Sequence, residues 1–530
     1  MRTWKMLAAA ALVVAVLLPA FSSPPVGAQG GAKRLILALE EDPPLVNPAI
    51  TSIIQSWYVG CPMFSALIHI NRDWTVEPEL AERWTSAPDG KSHTFYLRKD
   101  VKWHDGRPFT SADVKFSFEN ANAKLHPWGR GTFSQLDRVD TPDDYTVIVR
   151  LKQPFAPFML GVNVTTAAIL PKHVFEGSDI TKNPANQKPI GTGPFKLKEW
   201  VKGDHITLVK NEHYFHKGRP QVDELVFKII PDGTARVAAF EKGDVDVVYQ
   251  FALPLAEARR LAALPGVTMS INNNRGSGYL GIFNLRAKPL SDVRVRHAIA
   301  MAIDRKFMLK NIQDNFGEMM LGPVPPASPL YNKSLKDYPF DPAKANALLD
   351  EAGYPRGTDG TRFGFDFLEP SADAPQVKIG EVTRTNLAAV GIKVNLVPLE
   401  RAAMQQRAYV DLAFGMLVDS YGLGPDPAIG VERLYNSNNI RPVPFTNSAA
   451  YRNAEVDKLF ADEKLLMDPA RRKKVYDRIQ EIIWSDLPIL PFYAHLGPSV
   501  YRSSYVTGIF GNSAARNVEE TFEYAKIVGK

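Results

Sequence analysis

Apolar and polar positions along this chain fall into blocks of different period. KRLILALEEDPPLVNPAI, from residue 33, predicts a short apolar strand running into a proline-rich loop. Between about residues 74 and 150, short alternating runs (HTFYLR, VKWH, YTVIVRL) are separated by Asp-Gly and Pro-Asp turns, the pattern of an antiparallel sheet. From about 188 the rhythm changes. Strands at HITLVKN and ELVFKII are followed by a helical run, GTARVAAFEKG, and then by DVDVVYQ, which predicts a covered sheet with crossover connections.

The second half begins near 284 and is punctuated by helix signals. In LSDVRVRHAIAMAIDRKFML, Ser291 is the expected N-cap, and Val295, Ile299, Ala302, Ile303 and Phe307 recur on one helical face. DPAKANALLDEAGY places Asp341 at a cap, Pro342 at the first helical position and Gly353 at the stop. DPARRKKVYDRIQEIIWSDLP repeats that start with Asp468 and Pro469, and Pro488 ends it. LAAVGIKVNLVPL reads as a helix end, a glycine stop and a strand. The break between two α/β halves falls near 275 to 290, and the pattern does not say how often the chain crosses it. No internal repeat or low-complexity linker interrupts the chain.

At 530 residues the chain exceeds one ordinary core, and 45% hydrophobic content is enough to fill two or more lobes. Its start, MRTWKMLAAAALVVAVLLPAFSSPPVGAQG, has basic Arg2 and Lys5, an apolar run from Met6 to Leu18 and small residues at Val26 and Ala28. That is the form of a secretory signal peptide cut after Ala28, and it predicts a soluble periplasmic protein. The single cysteine, Cys61, permits no intramolecular disulfide and does not follow the apolar run as a lipid-anchoring cysteine would. It is expected to be a small buried apolar residue. Losing Arg2 and Lys5 lowers the net charge from +6 to +4, too little and too evenly spread for a nucleic-acid surface.

Catalytic motifs are missing: no G-x-S-x-G elbow, no H-E-x-x-H helix, no phosphate loop and no C-x-x-C. His213 and His216 have metal-compatible spacing, but NEHYFHKG is turn-like and aromatic, and a packing role is expected. Neither a metal nor another cofactor is predicted. LRKDVKWHDGRPFTSADVKFSF looks chemically rich, yet it reads as strand, Asp105-Gly106 turn, strand-like run ended by Pro108, and a helix capped by Thr110 with Asp113 three residues on. On that reading His104 and Asp105 tie down local backbone.

That stretch closely resembles the signature of the dipeptide- and oligopeptide-type solute-binding proteins of ABC importers, family 5. PELAERW, IGTGPFKLKEW, KNEHYF, AAFEKGDVDVV, FNLRAKPLSDVRVRHAIAMAIDR, AKANALLDEAGY, LAAVGIKV and RIQEIIWSDLPILPFY are similar to the family in the same order and span most of the chain. The resemblance implies an α/β, two-lobed periplasmic-binding-protein fold (type II, large cluster C) with an extra β-rich subdomain. Lobe I would comprise 33–58, 188–282 and 500–530, the subdomain 59–187, and lobe II 283–499. It further implies a monomeric receptor without enzymatic activity that captures a peptide or peptide-like solute between its lobes and delivers it to a membrane permease.

In peptide-binding members an aspartate in a loop of the second lobe holds the ligand's α-ammonium. Asp419 in GMLVDSYG falls at the matching place, although Met416 stands where the family has tryptophan. Other departures are Glu400-Arg401 after VNLVPL, where dipeptide binders have tryptophan, and FLEPSADAPQ, which lacks their carboxylate-binding arginine. Arg401 is the candidate replacement, and Trp57, Tyr58 and Tyr421 are candidate aromatic contacts. A non-peptide solute such as an opine, metal chelate or oligosaccharide, a secreted hydrolase on the same scaffold, and a chaperone-like peptide binder remain open at this point.

Overall fold

One mixed sheet of 11 strands organises the computed structural model, which describes residues 32–71, 74–424, 426–510 and 521–529. The expected signal peptide lies outside the described residues. Across the sheet the main strands run 392–399, 363–370, 416–422, 267–283, 489–502, 247–248, 34–39, 224–229, 205–210 and 195–201. At one end 363–370 is parallel to both 392–399 and 416–422. Towards the other, 34–39 is parallel to 224–229 and 247–248. Of these parallel segments RLILAL is the nearly continuous apolar run that a strand covered on both faces requires, while ELVFKI alternates buried and half-buried positions.

The two central strands are also the longest, Val267–Phe283 and Ile489–Arg502, and they pair antiparallel. Val267 to Asn272 face Arg502 to Gly497, then the register shifts, and Ser277 to Ile282 face His495 to Ile489. Such a bulge bends and twists a ladder locally. Apolar side chains gather on either side of it. Leu37, Phe227, Val247 and Phe240 form one core together with Val500 and Phe522 from the far end of the sequence. Phe283, Ile299, Phe367 and Phe492 anchor a second, and Leu417, Tyr421, Leu434 and Tyr476 a third. A fourth core belongs to a separate antiparallel sheet ordered 81–86, 92–97, 146–151, 136–143.

LRKDVKWHDGRPFTSADVKFSF builds that fourth core, and Trp103, Phe109, Val114 and Phe118 are buried in it. VKWH is not a strand; Lys102 and Pro108 form one isolated bridge across the Asp105-Gly106 turn. Pro108 needs no N–H for this, because Trp103 N–H donates to the Arg107 carbonyl and Phe109 N–H to that of Val101. His104 accepts from Gly191 N–H and pairs with the Gly193 carbonyl, tying the turn to the segment after the small sheet. Thr110 and Asp113 make the expected capping box on the helix Ser111–Phe116. The Asp113 carboxylate also accepts from the Lys172 N–H at 2.9 Å and the Trp103 indole at 3.3 Å.

Elsewhere the helix signals mostly hold. Asp341 caps Pro342–Glu351, and Asp468 caps Pro469–Asp486. Ser291 is the exception. It ends a short turn, Lys288–Ser291; Asp292 caps Val293–Ala302, and Asp304 caps a separate helix, Arg305–Asn311. The extended backbone of Ile303 and Asp304 interrupts the apolar face, so Phe307 points to solvent instead of into the core. Cys61 is fully buried.

Glu369 is a carboxylate among apolar neighbours, at the end of the strand Phe363–Pro370 and against Gly380 of the helix Ala374–Ala389, where an added Cβ would lie 1.8 Å from its Oε2. Burial pushes its pKa up from 4.5 to about 7, with the charge of Glu381 adding to the effect. A raised carboxyl pKa means that the folded chain holds a proton the unfolded chain releases.

Two outcomes follow for stability. Removing the shared acceptor in Asp113→Ala strands the donors of Lys172 and Trp103 and should cost roughly 3 kcal/mol in urea unfolding. The stability linked to Glu369 is fully present below about pH 4.5 and is lost as pH rises through about 7. This amounts to roughly 3 kcal/mol, and Glu369→Gln should remove that slope in denaturant titrations across the window.

Candidate functional site

A cavity of about 840 Å³ opens beside the bulge of the two central strands, lined by Gly276 and Ser277 from one and His495, Leu496 and Gly497 from the other. At this point the strands pass from the first core to the second and third, and the cavity is walled by six separate stretches of the chain. Trp57 and Gln250 come from the first core's side, and Trp128 and Arg130 from the region of the small sheet. Ser420, Tyr421, Arg433, Arg441, Val443 and Phe445 come from the far side. It lies at the carboxyl end of the strand Met416–Gly422, the edge where open α/β sheets bind ligands. Its volume suits one mid-sized solute.

Local chemistry fixes each wall. Trp57, in the helix Ile54–Gly60, donates its indole N–H to the Thr51 carbonyl and tilts against Trp128 at 5.2 Å. Trp128 in turn closes over Gly422, where a Cβ would lie 3.3 Å from the indole. On the far wall, residues 426–447 form a loop of short helical turns. An added Cβ on Gly430 would fall 1.9 Å from the Leu423 carbonyl oxygen, so only glycine fits. Arg472 fastens the base of the loop with two bonds to Asp426, at 2.6 and 2.7 Å, and a third to Glu463. Asn447 Nδ2 donates to the carbonyls of Tyr435, Asn436 and Tyr451 and holds the loop's return.

Arg433 lies within this loop, its guanidinium donating to the carbonyls of Gly430, Phe445 and Gly422. Burial lowers its pKa from the usual guanidinium value, yet a guanidinium keeps its proton in proteins. Tyr421 bonds through its hydroxyl to that of Tyr409 at 2.5 Å and meets Phe445 edge-on at 5.8 Å. His495 pairs with Ser420 Oγ at 3.1 Å, and burial pushes its pKa down to about 4, so it is neutral near pH 7. Phe251 and Val443, each 48% exposed, present apolar surface to the cavity.

Of the five residues expected from sequence, the cavity lining includes Trp57 and Tyr421. Tyr58 stacks on Tyr249 at 4.0 Å, and its hydroxyl accepts from Gln250, a lining residue. Asp419 lies inside a strand rather than a loop, is 2% exposed, and pairs with Arg401 at 2.6 Å. Burial raises its pKa while the guanidinium opposes the shift. Asp419 and Arg401 therefore satisfy each other away from the lining. Sequence reasoning missed Trp128, Arg130, Phe251, Arg433, Arg441 and His495; the only hint was the mix of aromatic and basic residues in HPWGRG and RPVPF. Among the described residues no three His, Cys, Asp or Glu side chains gather to hold a metal, and no helix is long and apolar enough to cross a membrane.

Residues 75–441 match the family model of bacterial extracellular solute-binding proteins, family 5 (middle region). Heme-binding protein A of Haemophilus influenzae is 30% identical over 479 residues, covering 85% of this chain and 86% of that protein. Among solved structures, NikA of Brucella suis in complex with Fe(III)-EDTA superposes with a TM-score of 0.82 at 25% identity, covering 94% of this chain and 100% of the other. Bacillus subtilis AppA, in complex with a nonapeptide, gives 0.77 at 26% identity, covering 93% and 99%. The chain belongs to the family 5 solute-binding proteins and has their α/β periplasmic-binding-protein fold. These relatives take a heme, a metal chelate and a peptide. The ligand of this chain must therefore be read from its own cavity.

The pairing of Asp419 with Arg401 is directly measurable. Arg401→Ala leaves a buried carboxylate unpaired and should destabilise the fold by about 2 kcal/mol, a figure moderated because the arginine is half exposed. Adding Asp419→Ala should recover part of that loss, and a double-mutant cycle in urea with zero coupling would contradict the pairing.

Proposed function

We propose that the protein is the solute-capturing receptor of an ABC importer, exported to the periplasm and working as a monomer. It holds a peptide or peptide-like organic solute in the cavity beside Trp57 and Tyr421 and delivers it to the permease. The observation that carries this reading is the cavity itself, which combines aromatic walls, half-exposed apolar side chains and fixed polar groups drawn from widely separated stretches of the chain. Family membership supports the transport role.

We assign 33–58, 188–282 and 500–530 to lobe I, 59–187 to its subdomain and 283–499 to lobe II. The hinge lies at the bulge of the central strands, where backbone pairing is already irregular. Ligand bridging the walls stabilises the closed arrangement, and no covalent step is needed. Tyr58, Arg401 and Asp419 act behind the lining, by fixing Gln250 and the strand that carries Tyr421.

Native mass spectrometry of protein purified without refolding should find one small molecule per chain. Phe251→Ala, which removes a half-exposed side chain at little cost to the fold, should weaken retention about tenfold. Protein that emerges bare, and whose scattering radius is unchanged by the low-mass fraction of a cell extract, would contradict the receptor role.

A further inference from the structure

We infer that the solute taken by this cavity carries net negative charge, with acidic groups reaching both walls and no ammonium group gripped by the protein. This rests on the receptor reading above. Among the described residues three arginines line the cavity, Arg130 from the region of the small sheet and Arg433 and Arg441 from the opposite loop, and no aspartate or glutamate does. Among the described residues none of the three has a carboxylate within 4.0 Å. Arg433 is held by three carbonyls, Arg441 bonds to the Asn439 amide oxygen, and Arg130 faces solvent.

Arg433 alone would decide nothing, since Arg236 and Arg296 are likewise held by carbonyls within the fold. What distinguishes the cavity is three such cations facing one space. Three other arginines on the far side are each met by a carboxylate: Arg472 by Asp426 and Glu463, Arg305 by Asp337, and Arg401 by Asp419. The partner missing here is one that a ligand can bring, and a guanidinium binds carboxylate or phosphate through two parallel bonds.

The same arrangement argues against a free amino terminus. Asp419, the acid that would receive an ammonium group, is 2% exposed and occupied by Arg401, and His495 is neutral near pH 7. A cationic group entering between the arginines would meet only like charge. The opposed cations also give the ligand a way to control shape. Arg130 and the Arg433–Arg441 loop repel each other across the cavity until an anion lies between them, so the anion favours the closed form.

Three matched probes separate the possibilities by calorimetry: N-acetyl-phenylalanyl-glutamate with two carboxylates, its neutral diamide, and phenylalanyl-glutaminamide with a free ammonium group. The dianion should bind at least about 30-fold more tightly than the diamide, with the preference shrinking as salt rises. Arg130→Gln and Arg441→Gln, both at exposed side chains, should each reduce dianion affinity about tenfold and narrow its preference over the diamide. Tighter binding of the ammonium probe, with a fall in scattering radius, would overturn the anionic class and leave the receptor role standing. Equal affinity for all three, or no binding by any, also overturns the anionic class; the receptor role is then decided by the solute that co-purifies.

Discussion

The hydrogen-bonded pairing of Val267–Phe283 with Ile489–Arg502 is the constraint on which the rest of the structure depends. Each strand serves a different core at each of its ends, so the ladder cannot melt at one end without loosening both halves. The larger of its two register shifts, between Asn272 and Ser277, is where the two halves exchange strands and where the cavity opens. A bulge removes ladder bonds and adds twist. Irregular pairing and the cavity mouth therefore fall at one place, and Gly276 passes through it with a φ of 48° and no room for a side chain beside Pro325.

Electrostatics then distinguishes scaffold from site. Inside the far half, buried charges are paired most fully in the group of Arg472, Asp426, Glu463 and Tyr476. Breaking such a buried pair costs several kcal/mol, so these residues hold the loop still. The loop they hold presents Arg433 and Arg441 without acidic partners. Fixed donors in a partly dry cavity bind charge more strongly than mobile ones in water, because little reorganisation remains to be done.

Much of the fold was legible because its signals are local. Caps at Thr110, Asp341 and Asp468, period-two runs at 92–97 and 146–151, and apolar runs at 34–39 and 224–229 act over a few residues. Ser291 misled because the competing cap, Asp292, is adjacent and the apolar period continues across the break at Ile303. The site was harder. Trp57 and Tyr421 fall on the cavity lining, whereas Asp419 pairs with Arg401, 18 residues earlier, off that lining, a contact no local motif announces. Arg130 and Arg441 lie more than 300 residues apart and share a cavity through tertiary folding, so no motif joins them.

The central claim is that the cavity at the strand crossing holds an anionic solute between aromatic walls. A crystal structure of protein purified with its native solute tests it most directly. The account predicts a molecule beside Trp57 and Tyr421 whose acidic groups meet Arg130 and Arg441, with Asp419 still on Arg401. A solute whose ammonium group rests on Asp419, with Arg401 displaced, would contradict it.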